Sequence, residues 1–413
     1  MSNASTHQQV QEHCTMGAPI PRAEHDTREL VAERWRLLGA SAEGRAALAD
    51  ERTLAEVGRF ARNIENFIGT VKVPAGIAGP LRVNGCSAQG DYYVPLATTE
   101  AALVASYSRG AQLITEAGGC ATAVLAEGVS RAPGFAFAIL AEAARFASWV
   151  ETQAGALAEV AAGTTSHGRL AAVRATVEGN HTYVNLEFLT GEAAGQNMVT
   201  IATAAIVQYI AGRSPVKPQY CFLEANHSGD KKASAQSFAR VRGKRVSAEL
   251  RIPRALLAKR LHTSPERMTD YWRMAALGGV LSGTIGVQGQ FANGLAALYI
   301  ACGQDAACVA ESAVGVTRLE VATDGALYAA VTLPSVIVGT VGGGTGLPSQ
   351  QACLEILRRC GPVDSRALAE LCAALALAGE LSLMGALCSD DFARAHAARA
   401  RGVCLARQEM TGA

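Results

Sequence analysis

The sequence predicts an α+β protein: a large helix-rich domain with one long central helix, and a small α+β domain inserted into it. Three observations predict this. Helical periodicity dominates both ends of the chain, and the middle third switches to strand-like alternation. Near the C-terminus, "SRALAELCAALALAGELSLMGALC" reads as a long helix that is apolar nearly all round. With 413 residues, 49% hydrophobic and 18% charged, the chain can bury more than one core and lacks the composition of disorder.

The elements follow in order. Residues 1–60 form an N-terminal segment, a polar tail and then polar helices, clearest in "AERWRLLGASAEGRAALADERTLAEVGRFAR". The large domain occupies 61–133 and 223–413. In it, "NFIGTVKVPAGIAGPLRVNG" reads as strands and turns broken by Pro and Gly. "TTEAALVASYSRGAQLITEAGG" reads as a helix capped by Thr98 or Thr99 and stopped by Gly118–Gly119. The insert, 134–222, opens with helical "FAFAILAEAARFASWVETQAG". It continues as strand, turn, strand, Gly-bearing loop and helix through "RLAAVRATVEGNHTYVNLEFLTGEAAGQNMVTIATAAIVQYIAG". Met274 to Gln304 carries no Asp, Glu, Lys or Arg and is long enough to cross a bilayer. Its glycines, glutamines and Asn293 predict a pair of core helices instead. The chain closes on "SDDFARAHAARARG", a short Arg-rich helix capped by Ser389 or Asp390.

A net charge of +1 gives no global field for nucleic acid or an anionic membrane. An anionic ligand must meet local basic groups. The eleven cysteines show no CxxC and no Cys/His cluster at zinc spacing, as expected for reduced thiols without a metal. The first thirty residues lack the apolar core of a secretory signal, so a soluble cytoplasmic protein is expected.

Four ionisable residues stand in otherwise uncharged surroundings: Glu100, Lys231, Asp305 and His396. Singly, each has an ordinary explanation, such as a carboxylate complementing a helix N-terminus or a lysine on a solvated turn. Two glycine-bearing strings add weight. "GEAAGQNM" (191–198) lies between a strand and a helix, where backbone and helix N-terminus can meet a phosphate. "VGTVGGGTGLPSQQA" (338–352) places three consecutive glycines between an apolar strand and a helix, a costly arrangement that lets a ligand lie against the backbone.

Together "ENFIGTVKVPAGIAGPL", "PLATTEAALVASYSRG", "SGDKK", "IACGQDAA", "LPSVIVGTVGGGTGLPSQQACL" and "AGELSLMGAL" resemble the catalytic part of hydroxymethylglutaryl-CoA (HMG-CoA) reductase, in a soluble form resembling class I, over about residues 60–402. The resemblance implies reduction of a CoA thioester to mevalonate and free CoA, with two hydrides from NADPH (NADH as the alternative). It also implies no metal, a ferredoxin-like inserted cofactor domain, and a homodimer or dimer of dimers with the active site at the subunit interface. By this resemblance Lys231 lies beside the thioester carbonyl, where a cation stabilises the oxyanion that hydride attack creates. Asp230 and Lys232 hold the loop and the substrate's carboxylate end. Glu100 is the catalytic acid, and Asp305 keeps a proton available on it by like-charge repulsion. His396 protonates the departing CoA thiolate, and Arg394, Arg399 and Arg401 share its segment. Arg131 and Asn293 contact the acyl group; Ser106, Arg109 and Ser382 contact CoA. Gly195, Asn197, Val341, Gly342 and Gly343 contact the dinucleotide.

Several positions depart from the best-known pattern of that family. Ala101 follows Glu100 where glycine is usual, Glu192 replaces an aspartate, and Glu224 stands where a loop serine is usual. The substrate-binding lysine is replaced by Arg273 or Met274, and Gly402 stands where some relatives carry a phosphorylatable serine. Two other readings keep parts of this picture: the same chemistry on a different branched acyl-CoA, or a non-catalytic CoA- or nucleotide-binding protein.

Overall fold

The computed structural model describes residues 18–389. The chain divides after Val73 into two compact units. In the first, four helices follow one another: α1 (Arg28–Leu38), α2 (Ala42–Leu48), α3 (Glu51–Ala55) and α4 (Val57–Phe60). Thr27, Ser41 and Asp50 cap the first three by accepting from the N–H groups of Leu30, Gly44 and Thr53. A buried pair, Arg34 with Asp26 at 2.6 Å, ties the segment together, and the same guanidinium donates to the Phe67 carbonyl. The Phe60 and Phe67 rings stack at 4.8 Å. The polar helices expected from the sequence are present, fixed by caps and by one desolvated ion pair.

The second unit is built on eleven strands: β1 (Ala75–Gly85), β2 (Gln89–Ala97), β3 (Cys120–Arg131), β4 (Gly134–Ala136), β5 (Arg169–Glu178), β6 (His181–Leu189), β7 (Tyr220–Phe222), β8 (Gly243–Ile252), β9 (Gly286–Val287), β10 (Gly315–Val321) and β11 (Leu327–Val336). The main path runs β7-β4-β6-β3-β8-β11-β10-β9, with the β1–β2 hairpin attached to β3 and β5 to β6. Strand β3 serves two masters. Its residues Ala121–Gly128 pair antiparallel with β8, and Val129–Arg131 pair with β6. A register shift between Val124 and Ala126 bends it on the way.

Among the described residues, nine longer helices and two four-residue turns of helix complete this unit. They are α5 (Leu103–Glu116), α6 (Leu140–Thr152), α7 (Ala154–Ala162), α8 (Gln196–Arg213), α9 (Gln236–Ala239), α10 (Arg254–Leu261), α11 (Pro265–Ser282), α12 (Phe291–Ala301), α13 (Val309–Ser312), α14 (Pro348–Arg358) and α15 (Ser365–Cys388). Helix α15 is long and apolar enough to span a bilayer, but it is packed inside the protein along almost its whole length. Its two interior carboxylates accept hydrogen bonds, Glu380 through both oxygens and Glu370 through one, the other Glu370 oxygen being buried without a partner among the described residues. Glu370 accepts from the Ser87 and Ala88 backbone and from Thr122; Glu380 accepts from the Gly289 and Gln290 backbone and from Thr317. Burial pushes the Glu380 carboxyl up, and those donors oppose it. Helix α5 crosses α15 so closely that a Cβ on Gly110 would lie 1.9 Å from the Ala378 carbonyl oxygen.

Strands β4 to β7 with helices α6 to α8 enclose a core of their own, in which Phe146 packs on Phe135 and Phe137 at 4.8 and 5.0 Å. Within this block Gly134–Ala136 is strand rather than the start of a helix, and the helix expected there begins at Leu140.

Two expectations are corrected. Helix α5 is not capped by Thr98 or Thr99: it starts at Leu103 behind Ala102, whose φ is 74°. The Thr98 hydroxyl accepts the Glu100 N–H at 3.0 Å, and this local turn delays the helix. The Met274–Gln304 stretch does not form two core helices. Its α12 half is buried, whereas the end of α11 exposes Met274, Leu277, Val280 and Leu281.

Candidate active site

The "SGDKK" stretch is a tight loop between β7 and α9. Gly229 and Lys231 both have positive φ, 73° and 55°, a conformation that costs a lysine roughly 1 kcal/mol or more. What holds it is Asp230. One carboxylate oxygen pairs with Arg131 at 2.6 Å and the other with Arg242. Arg242 also donates to the Ser130 carbonyl at 2.7 Å and to the buried carboxylate of Glu311 at 3.2 Å. Burial alone would raise the Asp230 carboxyl, but the Arg242 and Arg131 charges outweigh it and hold it below the usual carboxylate range. Arg131 is further engaged by Thr200, 3.2 Å from its Nε, and by Glu224 at 3.7 Å. Lys232 turns back to the Asp230 carbonyl at 2.9 Å.

Locked this way, Lys231 presents its ammonium to Asp305, Nζ to Oδ2 2.8 Å, with both side chains about four-tenths exposed. The hydrogen bond to Asp305 raises the Lys231 pKa, against partial desolvation. Asp305 caps the short turn Ala306–Cys308 through the Ala307 N–H, so its carboxylate is fixed by backbone. Asp305 belongs to "ACGQDAA", and this string docks on the glycine loop. Gln304 grips Gly339 from both sides, accepting from its N–H at 2.9 Å and donating to its carbonyl at 3.0 Å. Gly303, at φ 68°, approaches Gly344 so closely that a Cβ would fall 2.3 Å from the Gly344 carbonyl oxygen.

The third string joins from the connection between β6 and α8. Ala193 bridges to Val341, and the Thr340 N–H donates to the Glu192 carbonyl. The Glu192 carboxylate accepts from the Thr340 hydroxyl at 2.9 Å and from the Ser365 N–H at 2.7 Å, at the start of α15. Gly195 (φ 77°) then opens α8, and Asn197 is exposed in its first turn. Gly342 and Gly343 also have positive φ, but nothing lies within 4 Å of where their Cβ atoms would be. Val341, Gly342 and Gly343 therefore offer open backbone beside an α-helix N-terminus, a surface that fits a phosphate-bearing dinucleotide.

Glu100 lies in an exposed turn after β2, not in the first turn of a helix. Among the described residues its N–H donates to the Thr98 hydroxyl, and the Lys231 ammonium is paired with Asp305 rather than with Glu100. It lies within electrostatic reach of Tyr107, whose hydroxyl burial pushes up, with Glu380 and then Glu100 adding to the shift. That hydroxyl donates to the Gln290 carbonyl at 2.7 Å and accepts the Gly294 N–H at 2.8 Å, fixing the turn that carries Asn293. Ser106, Arg109 and Ser382 meet as one group: the two hydroxyls are 2.9 Å apart, and Arg109 donates to the Ser382 hydroxyl at 3.1 Å and carbonyl at 2.8 Å. Arg273 pairs with Asp270 on an exposed helix face at 3.1 Å, and Met274 is solvent-facing. His396, Arg394, Arg399, Arg401 and Gly402 lie outside the described residues.

A protein family described as hydroxymethylglutaryl-coenzyme A reductase matches residues 30–401, most of the chain. The chain belongs to the HMG-CoA reductase family. Its relatives include the 3-hydroxy-3-methylglutaryl-coenzyme A reductases of Pyrococcus horikoshii (43% identical, covering 81% of this chain and 83% of that one) and Aeropyrum pernix (45%; 83% and 83%). That of Haloferax volcanii is 42% identical over 90% of this chain and 93% of its own. The fold is shared with a class II 3-hydroxy-3-methylglutaryl-CoA reductase from Streptococcus pneumoniae, solved bound to NADPH in open conformations. The TM-score is 0.65 at 22% identity, over 86% of this chain and 96% of that one.

Within this HMG-CoA reductase scaffold, sequence reasoning missed the residues that position the loop. Arg242 and Glu311 fix Asp230, and Gln304 fixes the glycine loop. Glu311 did carry a signal, as a lone carboxylate within the apolar run "AACVAESAVGV".

Proposed function

We propose that this chain reduces (S)-HMG-CoA to mevalonate and free CoA, using two equivalents of NADPH. The carrying observation is the Lys231 ammonium, held 2.8 Å from Asp305 at the junction of the "SGDKK", "ACGQDAA" and "VGTVGGG" strings. Gly195, Asn197 and the Val341–Gly343 backbone would hold the dinucleotide, which supplies hydride when bound. The strand order β7-β4-β6-β5, threaded strand–two helices–strand–strand–helix–strand, supports a ferredoxin-like insert presenting that surface.

The protein's own groups account for the charges and protons. Hydride addition to the thioester carbonyl places negative charge on oxygen. Lys231 stabilises that charge as a fixed ammonium, and the Asp305 hydrogen bond keeps it protonated. Collapse of the resulting hemithioacetal expels CoA thiolate, to which His396 gives a proton, and leaves an aldehyde. A second hydride reaches the aldehyde carbon while Glu100 supplies a proton to its oxygen, giving the alcohol. Ser106, Arg109 and Ser382 hold CoA, and Arg131 and Asn293 border the acyl group. A homo-oligomer with the site at the subunit interface belongs to this reading. The solvent-facing Met274, Leu277, Val280 and Leu281 support it as an apolar face suited to a second copy.

The test is loss of reduced-nicotinamide absorbance with HMG-CoA, with NADPH and NADH side by side. Two nicotinamides oxidised per HMG-CoA consumed, faster with NADPH, is expected; no CoA-dependent oxidation with either cofactor overturns the proposal. A second reading, another branched acyl-CoA, is favoured by one observation. Arg273 is paired with Asp270 and Met274 carries no charge, so neither candidate for the missing lysine offers an unpaired cation to the acyl carboxylate. Turnover across a panel of acyl-CoAs separates the two.

A further inference from the structure

Beneath the Lys231 loop lies a small cavity with room for the centre of one water-sized particle, ≈ 10 Å³. Ser130, Ser228, Ser234, Ser237, Arg240 and Arg242 line it, and no carboxylate does. The hydrogen-bond ledger of this lining is lopsided. The Ser228 hydroxyl oxygen accepts from the Asp230 N–H, and the Ser234 hydroxyl oxygen accepts from the Gln236 N–H, both at 3.2 Å. Each therefore keeps its hydroxyl hydrogen to donate. Arg242 is neutralised by Asp230 and Glu311, but Arg240 makes no ion pair among the described residues, and its Nη1 is buried without a hydrogen-bond partner. The Arg240 charge is felt nearby: the His227 imidazole is held below its ordinary value, first by burial and next by Arg240.

We infer that this cavity is a binding site for a monatomic anion, chloride in solution, held by Arg240 and the hydroxyls of Ser228, Ser234 and Ser237. A buried guanidinium N–H left without an acceptor is costly, and a lining rich in hydrogen-bond donors is matched by a spherical anion. Room for one small particle matches a single monatomic ion better than a phosphate group or the substrate itself. The ion would sit under the segment that presents Lys231 and stiffen it without touching the reacting atoms. This inference does not depend on the substrate proposed above.

The experiment is thermal unfolding of the full chain in potassium chloride, bromide or gluconate at equal ionic strength. Wild type is compared with Arg240→Gln, Ser237→Ala and the exposed control Arg145→Gln. A saturable rise in Tm on the order of 2 °C with both halides is expected, absent in gluconate. Arg145→Gln should keep this rise, Ser237→Ala should shift it to higher halide concentration, and Arg240→Gln should abolish it. Anomalous diffraction from bromide-soaked wild-type crystals should give a peak between Arg240 and Ser237. An equal response to all three salts, a halide response surviving in Arg240→Gln, or a bromide-free cavity holding water would each overturn the inference.

Discussion

Lys231 and Asp305 are each fixed by the backbone around them before they meet. The lysine sits in a left-handed turn, and the aspartate caps its own short turn. Removing the ammonium with Lys231→Met should lower kcat by about 10²–10³-fold, with little change in KM for the dinucleotide. Single-turnover hydride transfer measures this directly. Asp305→Asn acts through the lysine. The Asp305 hydrogen bond raises the Lys231 pKa, so its loss lowers that pKa, and the ammonium is then lost at lower pH. The alkaline limb of the kcat profile should move to lower pH in Asp305→Asn, and an unmoved limb would contradict the pairing. Of the residues expected from sequence, Lys231 and Asp305 meet as an ion pair, and Ser106, Arg109 and Ser382 form a group. Arg131 had the less legible role. Expected on the acyl group, it also ties down Asp230, because two carboxylates lie within its reach, and no sequence spacing shows that.

At the scale of elements, the glycine strings were the most legible feature, and packing explains why. Gly303 and Gly344 are required by mutual approach, whereas Gly342 and Gly343 are required only by their backbone angles. Gly303→Ala should therefore push the glycine loop off "ACGQDAA" and raise KM for the dinucleotide severalfold, a split that steady-state kinetics resolves. Gly110→Ala sits at the crossing of α5 and α15, against the Ala378 backbone. It should lower Tm by several degrees, as overpacking typically costs about 1–3 kcal/mol. The start of α5 was misread because Thr98 has the composition of a helix cap yet uses its hydroxyl in a local turn. The end of α11 was misread because an uncharged run cannot distinguish a side chain buried in its own core from one facing outward.

At the scale of the molecule, that outward face carries its own prediction. Leu281→Glu places charge at the most exposed apolar position of α11, which is 88% exposed. Sedimentation should then show a smaller species than wild type at equal concentration, while far-UV circular dichroism is unchanged. Most helices and strands were legible, since periodicity reports which faces are apolar. The joints between distant segments were not.

One such joint is β3, which begins against β8 and ends against β6. Its last two residues, Ser130 and Arg131, are also the ones that grip Arg242 and Asp230. The strand that joins the β6 and β8 pairings therefore also anchors the loop that carries Lys231. A shift of β3 against either neighbour would pass, through the Arg131 and Arg242 guanidinium groups, to the Asp230 carboxylate beside that lysine.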